Sequence, residues 1–235
     1  MIMRIKELKS LVNRYKEAKD NGQLQNASEA TMRAWIDELL SLFGWDVQNT
    51  HQVLTEHTLN KAERARLHEI GSSNTRPDYT LVNGRVKLAF VDAKSLDVNI
   101  ENDKSVAFQI RSYGWSIGAP FSVVTNFEQL AIYDCSVMPD VNDDARCARY
   151  DILRYDQYVE KSEKLEAILN RGNVISDTTK MVHGKGNALD ERFSAMLGEV
   201  RIELAKAILK NNHIESTQVL SYYVQTILEF GISLV

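Results

Sequence analysis

Hydrophobic positions along this chain follow two periods, and the switches between them lay out an ordered set of helices and strands. Near the amino terminus Ile5, Leu8, Leu11, Val12 and Tyr15 recur at helical spacing among charged residues, and Asn21-Gly22 ends that amphipathic helix. Met32, Ile36, Leu39, Leu40 and Phe43 form a second helical stripe running into Trp35–Trp45. The period then shortens. Asn83-Gly84 inside Thr80–Lys87 is a hairpin signal between two strand-like runs, and Val86–Val91 is an apolar, β-branched run that reads as a buried strand. Val106–Trp115 returns to helical spacing, and Phe121–Asn126 and Leu130–Asp134 read as two more strands. The polar, proline-containing Val137–Asp144 looks like a connection. After Tyr150 three helical patterns follow, over Gln157–Asn170, Leu189–Asn211 and Ser216–Phe230, with a polar stretch at Gly172–Gly186 that reads as loop. The pattern predicts an α/β unit over residues 1–150 and a helical connector region over 151–235.

Composition narrows the classes. A chain of 235 residues that is 44% hydrophobic can bury a full core. No apolar run approaches the ~20 residues that a membrane span needs, and the amino terminus lacks a signal-peptide core, so a cytoplasmic protein is expected. Cys135 and Cys147 are too few for a disulfide framework, and the histidines (His51, His57, His68, His183, His213) lack metal-ligand spacing.

Chemistry concentrates at Arg76-Pro77-Asp78 and, fourteen residues after that aspartate, at Asp92-Ala93-Lys94. Asp92 ends the buried run, and strand alternation aims Asp92 and Lys94 at one face. Acids placed in a core need neutralising, because unpaired buried charge is costly. Mg2+ suits that need: it binds through one or two carboxylates plus substrate phosphate. The hairpin decides whether Asp78 joins them. A two-residue Asn83-Gly84 loop pairs Asp78 with Ala89 and turns it to the opposite face. A three-residue loop, Val82-Asn83-Gly84, with Gly84 left-handed and a bulge, sets Asp78 opposite Leu88 on the shared face. The bulged turn is the expectation.

Pro77-Asp78 with Asp92-x-Lys94 resembles the PD-(D/E)xK nuclease superfamily. The order Glu29-Ala-x-x-Arg33, Gly44-Trp45, Arg76-Pro-Asp78, Asp92-x-Lys94, Gln109-x-x-x-Tyr113 and Thr125-Asn126 resembles the amino-terminal nuclease domain of type I restriction subunits and of fused type IIG restriction and modification enzymes, over Glu29–Asp134. In most relatives the acid before x-Lys is glutamate, whereas here it is Asp92, one methylene shorter. The resemblance implies a restriction-endonuclease-like core and Mg2+-dependent cleavage of double-stranded DNA, with Mn2+ able to substitute. By that resemblance Asp78, Asp92 and the Ala93 carbonyl hold the metal, Lys94 orients water or stabilises charge on phosphorus, and Gln109 and Tyr113 support them. Glu29 has two readings. The resemblance brings it to the metal site, whereas Asn26-x-x-Glu29 has the form of a capping box that merely satisfies a free amide.

A net charge of −4 offers no global attraction for DNA. Affinity must come from a partner or from a local patch, best seen in Lys61–Arg76, where Lys61, Arg64, Arg66 and Arg76 outnumber Glu63 and Glu69. Arg76 and Arg66 are the candidate DNA contacts. The helical tail resembles the connector that leads to a methyltransferase in type IIG enzymes, yet neither methyltransferase nor Walker motifs follow. Methyltransferase and target-recognition domains or subunits are the implied partners, and double-strand cleavage implies two copies acting together as a homodimer. Two rivals stand beside this reading: a repair or junction nuclease with the same core, and an inactive nuclease fold kept for DNA binding or assembly.

Overall fold

The computed structural model describes residues 2–176, 204–210, 220, 223, 224 and 227. The chain divides into two compact units, Met1–Gly184 and Lys185–Val235. The first opens with α1 (Ile2–Asp20), which buries Leu8, Leu11, Val12 and Tyr15. Next comes α2 (Glu29–Leu42), burying Met32, Ile36, Leu39 and Leu40. Ser28 caps α2, its hydroxyl accepting the Thr31 N–H at 3.3 Å, while Asn26 sits in the preceding turn with φ 57°. The Asn26 capping box is therefore corrected: a two-residue offset moves the cap to Ser28 and makes Glu29 the first helical residue.

The sheet has six strands in chain order: β1 (Val53–Thr55), β2 (Tyr79–Asn83), β3 (Val86–Ala93), β4 (Phe121–Thr125), β5 (Gln129–Asp134) and β6 (Arg149–Arg154). Every neighbouring pair is antiparallel except β3 and β4, which run parallel. A parallel pair needs a crossover, and α4 (Lys104–Ile117) supplies it. Asp103 starts α4 by accepting the N–H groups of Ser105 at 2.9 Å and Val106 at 3.2 Å.

Helices cover both faces. On one, residues of α1, α2, α5 (Ser162–Leu169) and α6 (Arg171–Ile175) meet Tyr79, Leu81, Ala89, Val91, Ala93, Val123 and Ile132. The indole N–H of Trp45 ties this layer together, donating to the Leu169 carbonyl at 2.7 Å. On the other face, α4 and Leu67 of α3 (Lys61–Glu69) pack on Phe90, Val124, Ala131 and Tyr133. Gly114 lets α4 approach this closely: a Cβ there would lie 2.3 Å from Cys135 Sγ. Residue 150 falls within β6, and α5 and α6 join the same core, so the sheet unit continues past it. The start of the loop expected over Gly172–Gly186 is corrected by α6, because Asn170 caps a short helix that buries Val174; residues 177–186 lie outside the described residues. Short β1 and β6 carried no strand signal strong enough to be read.

In the second unit residues 204–210 are helical, inside the helix expected over 189–211; the rest of that helix, and all of the one over 216–230 except helical residues 220, 223, 224 and 227, lie outside the described residues. No helix among the described residues is long and apolar enough to cross a membrane.

Candidate active site

The β2–β3 hairpin positions the first two acids, and it differs from both expected turns. Asn83 pairs with Val86, so the loop is Gly84-Arg85, with Gly84 at φ 62° in the left-handed region that glycine tolerates. The bulge lies in β3: Leu81 pairs with Ala89 and Val82 with Lys87, which leaves Leu88 as the extra residue. Beyond it the pairs are Thr80 with Phe90 and Tyr79 with Val91. One further step sets Asp78 against Asp92, not against Leu88. Directly opposed residues point to one face, so the shared face was anticipated and the register was not. Asp78 opposite Leu88 would have left the two acids four residues apart along β3; the observed register brings them side by side.

Asp92 lies on the α4 side, one alternation on from Phe90, and is 2% exposed. Asp78 is buried as well, and its Oδ2 accepts the Ala93 N–H at 2.7 Å. Lys94 forms an ion pair with Asp92, while its own backbone N–H donates to the Thr125 carbonyl at 3.0 Å. The cluster therefore sits at the carboxyl ends of the parallel pair β3 and β4, where open α/β sheets bind ligands. Burial first, and then the facing charge of Asp92, push the Asp78 carboxyl up to about 6, against the opposing pull of the Ala93 N–H, Arg33 and Lys94.

Tyr113 and Gln109 stand on the face of α4 turned to this cluster. The Gln109 amide donates to the Tyr113 hydroxyl at 3.3 Å, and the Tyr113 ring packs 5.7 Å from that of Phe90. Burial pushes the Tyr113 hydroxyl up to about 12, opposed by its hydrogen bond to Gln109 and reinforced by the charges of Asp92 and Asp78. Asn126 has a scaffolding part, donating to the Val98 carbonyl at 3.2 Å and accepting from Gln129 N–H at 2.8 Å, which holds the chain that leaves Lys94.

Arg33 was given no role in the sequence reading, although it closes the Glu29-Ala-x-x-Arg33 motif. From α2 it pairs with Asp78, with Glu29 at 3.0 Å and with Glu56 at 2.6 Å. Glu29 thus reaches the acids through Arg33, its partner one helical turn on. Arg76 donates to the Glu56 carbonyl at 2.7 Å and to its carboxylate at 2.8 Å. The hydrogen bond from Arg33, joined by Arg76, holds Glu56 below the usual carboxylate range. Glu56 was also missed; its signal is spatial, since it adjoins neither motif in sequence.

Arg66 is not brought to the acids. Its guanidinium lies 4.8 Å from the Trp115 ring, beside Gly118–Pro120 where the chain enters β4, the opposite end of that strand from Thr125.

No protein-family model and no solved structure matches this chain. A curated protein does: over 169 residues, 72% of this chain, it is 28% identical to the type II restriction enzyme and methyltransferase RM.Eco57I of Escherichia coli. The match spans 17% of that protein's length. The chain is thus related, at a distance, to one part of a much longer restriction enzyme.

Proposed function

We propose that this chain is the nuclease part of a restriction-modification system, a Mg2+-dependent endodeoxyribonuclease of the PD-(D/E)xK kind. The observation that carries the reading is the β2–β3 register, which sets Asp78 against Asp92, with Lys94 paired to Asp92, at the carboxyl end of the parallel strands. The likeness to a restriction enzyme and methyltransferase supports the same class. Double-stranded DNA, methyltransferase and target-recognition partners, and a second copy for double-strand cleavage all belong to the proposal.

The donor set fits a hard divalent cation. Asp78 and Asp92 are two buried carboxylates, and among the described residues no third His, Cys, Asp or Glu is placed to share a metal ion with them. Two carboxylates with the Ala93 carbonyl leave room for water and phosphate, the habit of Mg2+. Bound there, the cation supplies neutralisation of phosphate charge and a more acidic water. Lys94, held in place by Asp92 and by β4, orients that water and stabilises the charge developing on phosphate, a preorganised electrostatic role. The Tyr113 hydroxyl, fixed by Gln109, borders the acids and excludes solvent. Arg76 at the rim is 62% exposed and available to a DNA phosphate.

The test is cleavage of supercoiled plasmid with Mg2+ or Mn2+, wild type against Lys94→Ala. Nicking or linearisation by the wild type alone is expected. Equal cleavage by both would sink the assignment, and a wild type that binds no cation and cuts nothing would favour an assembly subunit.

A further inference from the structure

We infer that Arg33 is a positioning residue that competes with the divalent cation for Asp78, so that loading the site transfers the guanidinium from Asp78 to Glu29 and Glu56. The inference rests on the reading of Asp78 as a metal ligand. Its basis is the way the Asp78 carboxylate is committed: Oδ2 takes the Ala93 N–H at 2.7 Å, and Oδ1 pairs with Arg33. Both oxygens are engaged by protein donors. The Ala93 N–H belongs to β3 and cannot move without breaking the strand, so the guanidinium is the donor that a cation approaching Asp78 can displace.

Arg33 is suited to being displaced. Its two terminal nitrogens carry all three ion pairs, while Nε is buried without a partner. A guanidinium held along its full fork resists rotation, whereas one held only by its tips can swing. Two acceptors are already on it, Glu56 at 2.6 Å and Glu29 at 3.0 Å. Both are more exposed than Asp78, with side chains 44% and 42% exposed against 12%. The released charge therefore stays paired, in a wetter place, a turn of side chain away.

Calorimetric titration with MnCl2, alongside melting in EDTA and in MnCl2, tests this on the full chain. Arg33→Gln should bind Mn2+ about tenfold more tightly than wild type, the factor equivalent to one charge-assisted hydrogen bond that no longer has to be broken. It should also melt lower in EDTA and gain more from Mn2+. Arg33→Lys keeps the charge but cannot bridge three carboxylates and should fall between; it also carries the test if Arg33→Gln fails to fold. Arg76→Gln removes a nearby charge with no contact to Asp78 and should stay near wild type. Equal or weaker Mn2+ binding by Arg33→Gln overturns the inference, as does equal tightening by Arg76→Gln. Wild type and Arg33→Gln both failing to take Mn2+ overturns the cation site itself.

Discussion

The two ends of β3 carry charge in opposite ways. Near its start Lys87 meets Glu63 of α3 through both carboxylate oxygens, at 2.8 and 2.6 Å, one cation to one anion. Glu63 also completes a capping box with Asn60, at 2.8 and 3.0 Å, so both charges of this pair hold α3 to the sheet. At its end, four carboxylates, Asp78, Asp92, Glu29 and Glu56, face three cations, Lys94, Arg33 and Arg76. The most buried acids, Asp78 and Asp92, oppose each other directly. A fold gains nothing from a buried excess of like charge; a site that must take a cation does. On the proposed reading, the contrast separates charge used for stability from charge held for chemistry.

Mutating the two ends should break different properties. Lys94→Ala should lower plasmid cleavage by about a thousandfold, the scale of losing one preorganised electrostatic group, with circular dichroism and melting near wild type. Glu63→Ala should do the reverse. It strands the Lys87 ammonium, only 16% exposed, and removes half a capping box, costing about 3 kcal/mol in urea unfolding, while the rate per folded molecule holds.

A third change sharpens the contrast through pH. The Asp78 carboxyl holds its proton more tightly folded than unfolded, since burial and Asp92 raise it to about 6. Its contribution to stability is therefore fully present below the unfolded aspartate pKa of ~3.9 and is lost as pH rises through about 6. In EDTA at pH 8, Asp78→Asn should thus be more stable than wild type, by on the order of 1 kcal/mol. Below pH 4 the two should converge, and a variant less stable at pH 8 would contradict the like-charge account. The smallest effect is expected at Tyr113→Phe. Losing the hydroxyl frees Gln109 and should slow cleavage only about fivefold, as loss of a supporting hydrogen bond does.

Much of the fold was legible because its elements advertise themselves. The stripes of α1 and α2 and the runs of β3, β4 and β5 are long and regular, and the observed bounds, such as Phe121–Thr125 and Lys104–Ile117, fall close to those read. Elements whose stability is borrowed were not legible: β1 has three residues, and β6 alternates weakly, with only Leu153 fully buried. Each exists because a neighbouring strand offers it a ladder. At the site, Asp92 and Lys94 were readable as a pair because two residues along a strand share a face. Arg33 and Glu56 were not given parts, since what makes them matter is a distance between α2, the end of β1 and the start of β2.

By itself, the sequence determined which residues could be chemical, which runs would be helix or strand, and that Asp92 and Lys94 would point the same way, because those properties follow from local periodicity. Only the tertiary structure decided that Asp78 stands against Asp92. That outcome hangs on one extra residue, Leu88, in β3. A single-residue shift moves every later pairing and reverses its face, and the turn chemistry of Asn83-Gly84 allowed more than one register. The packing of both faces against helices selected the one observed.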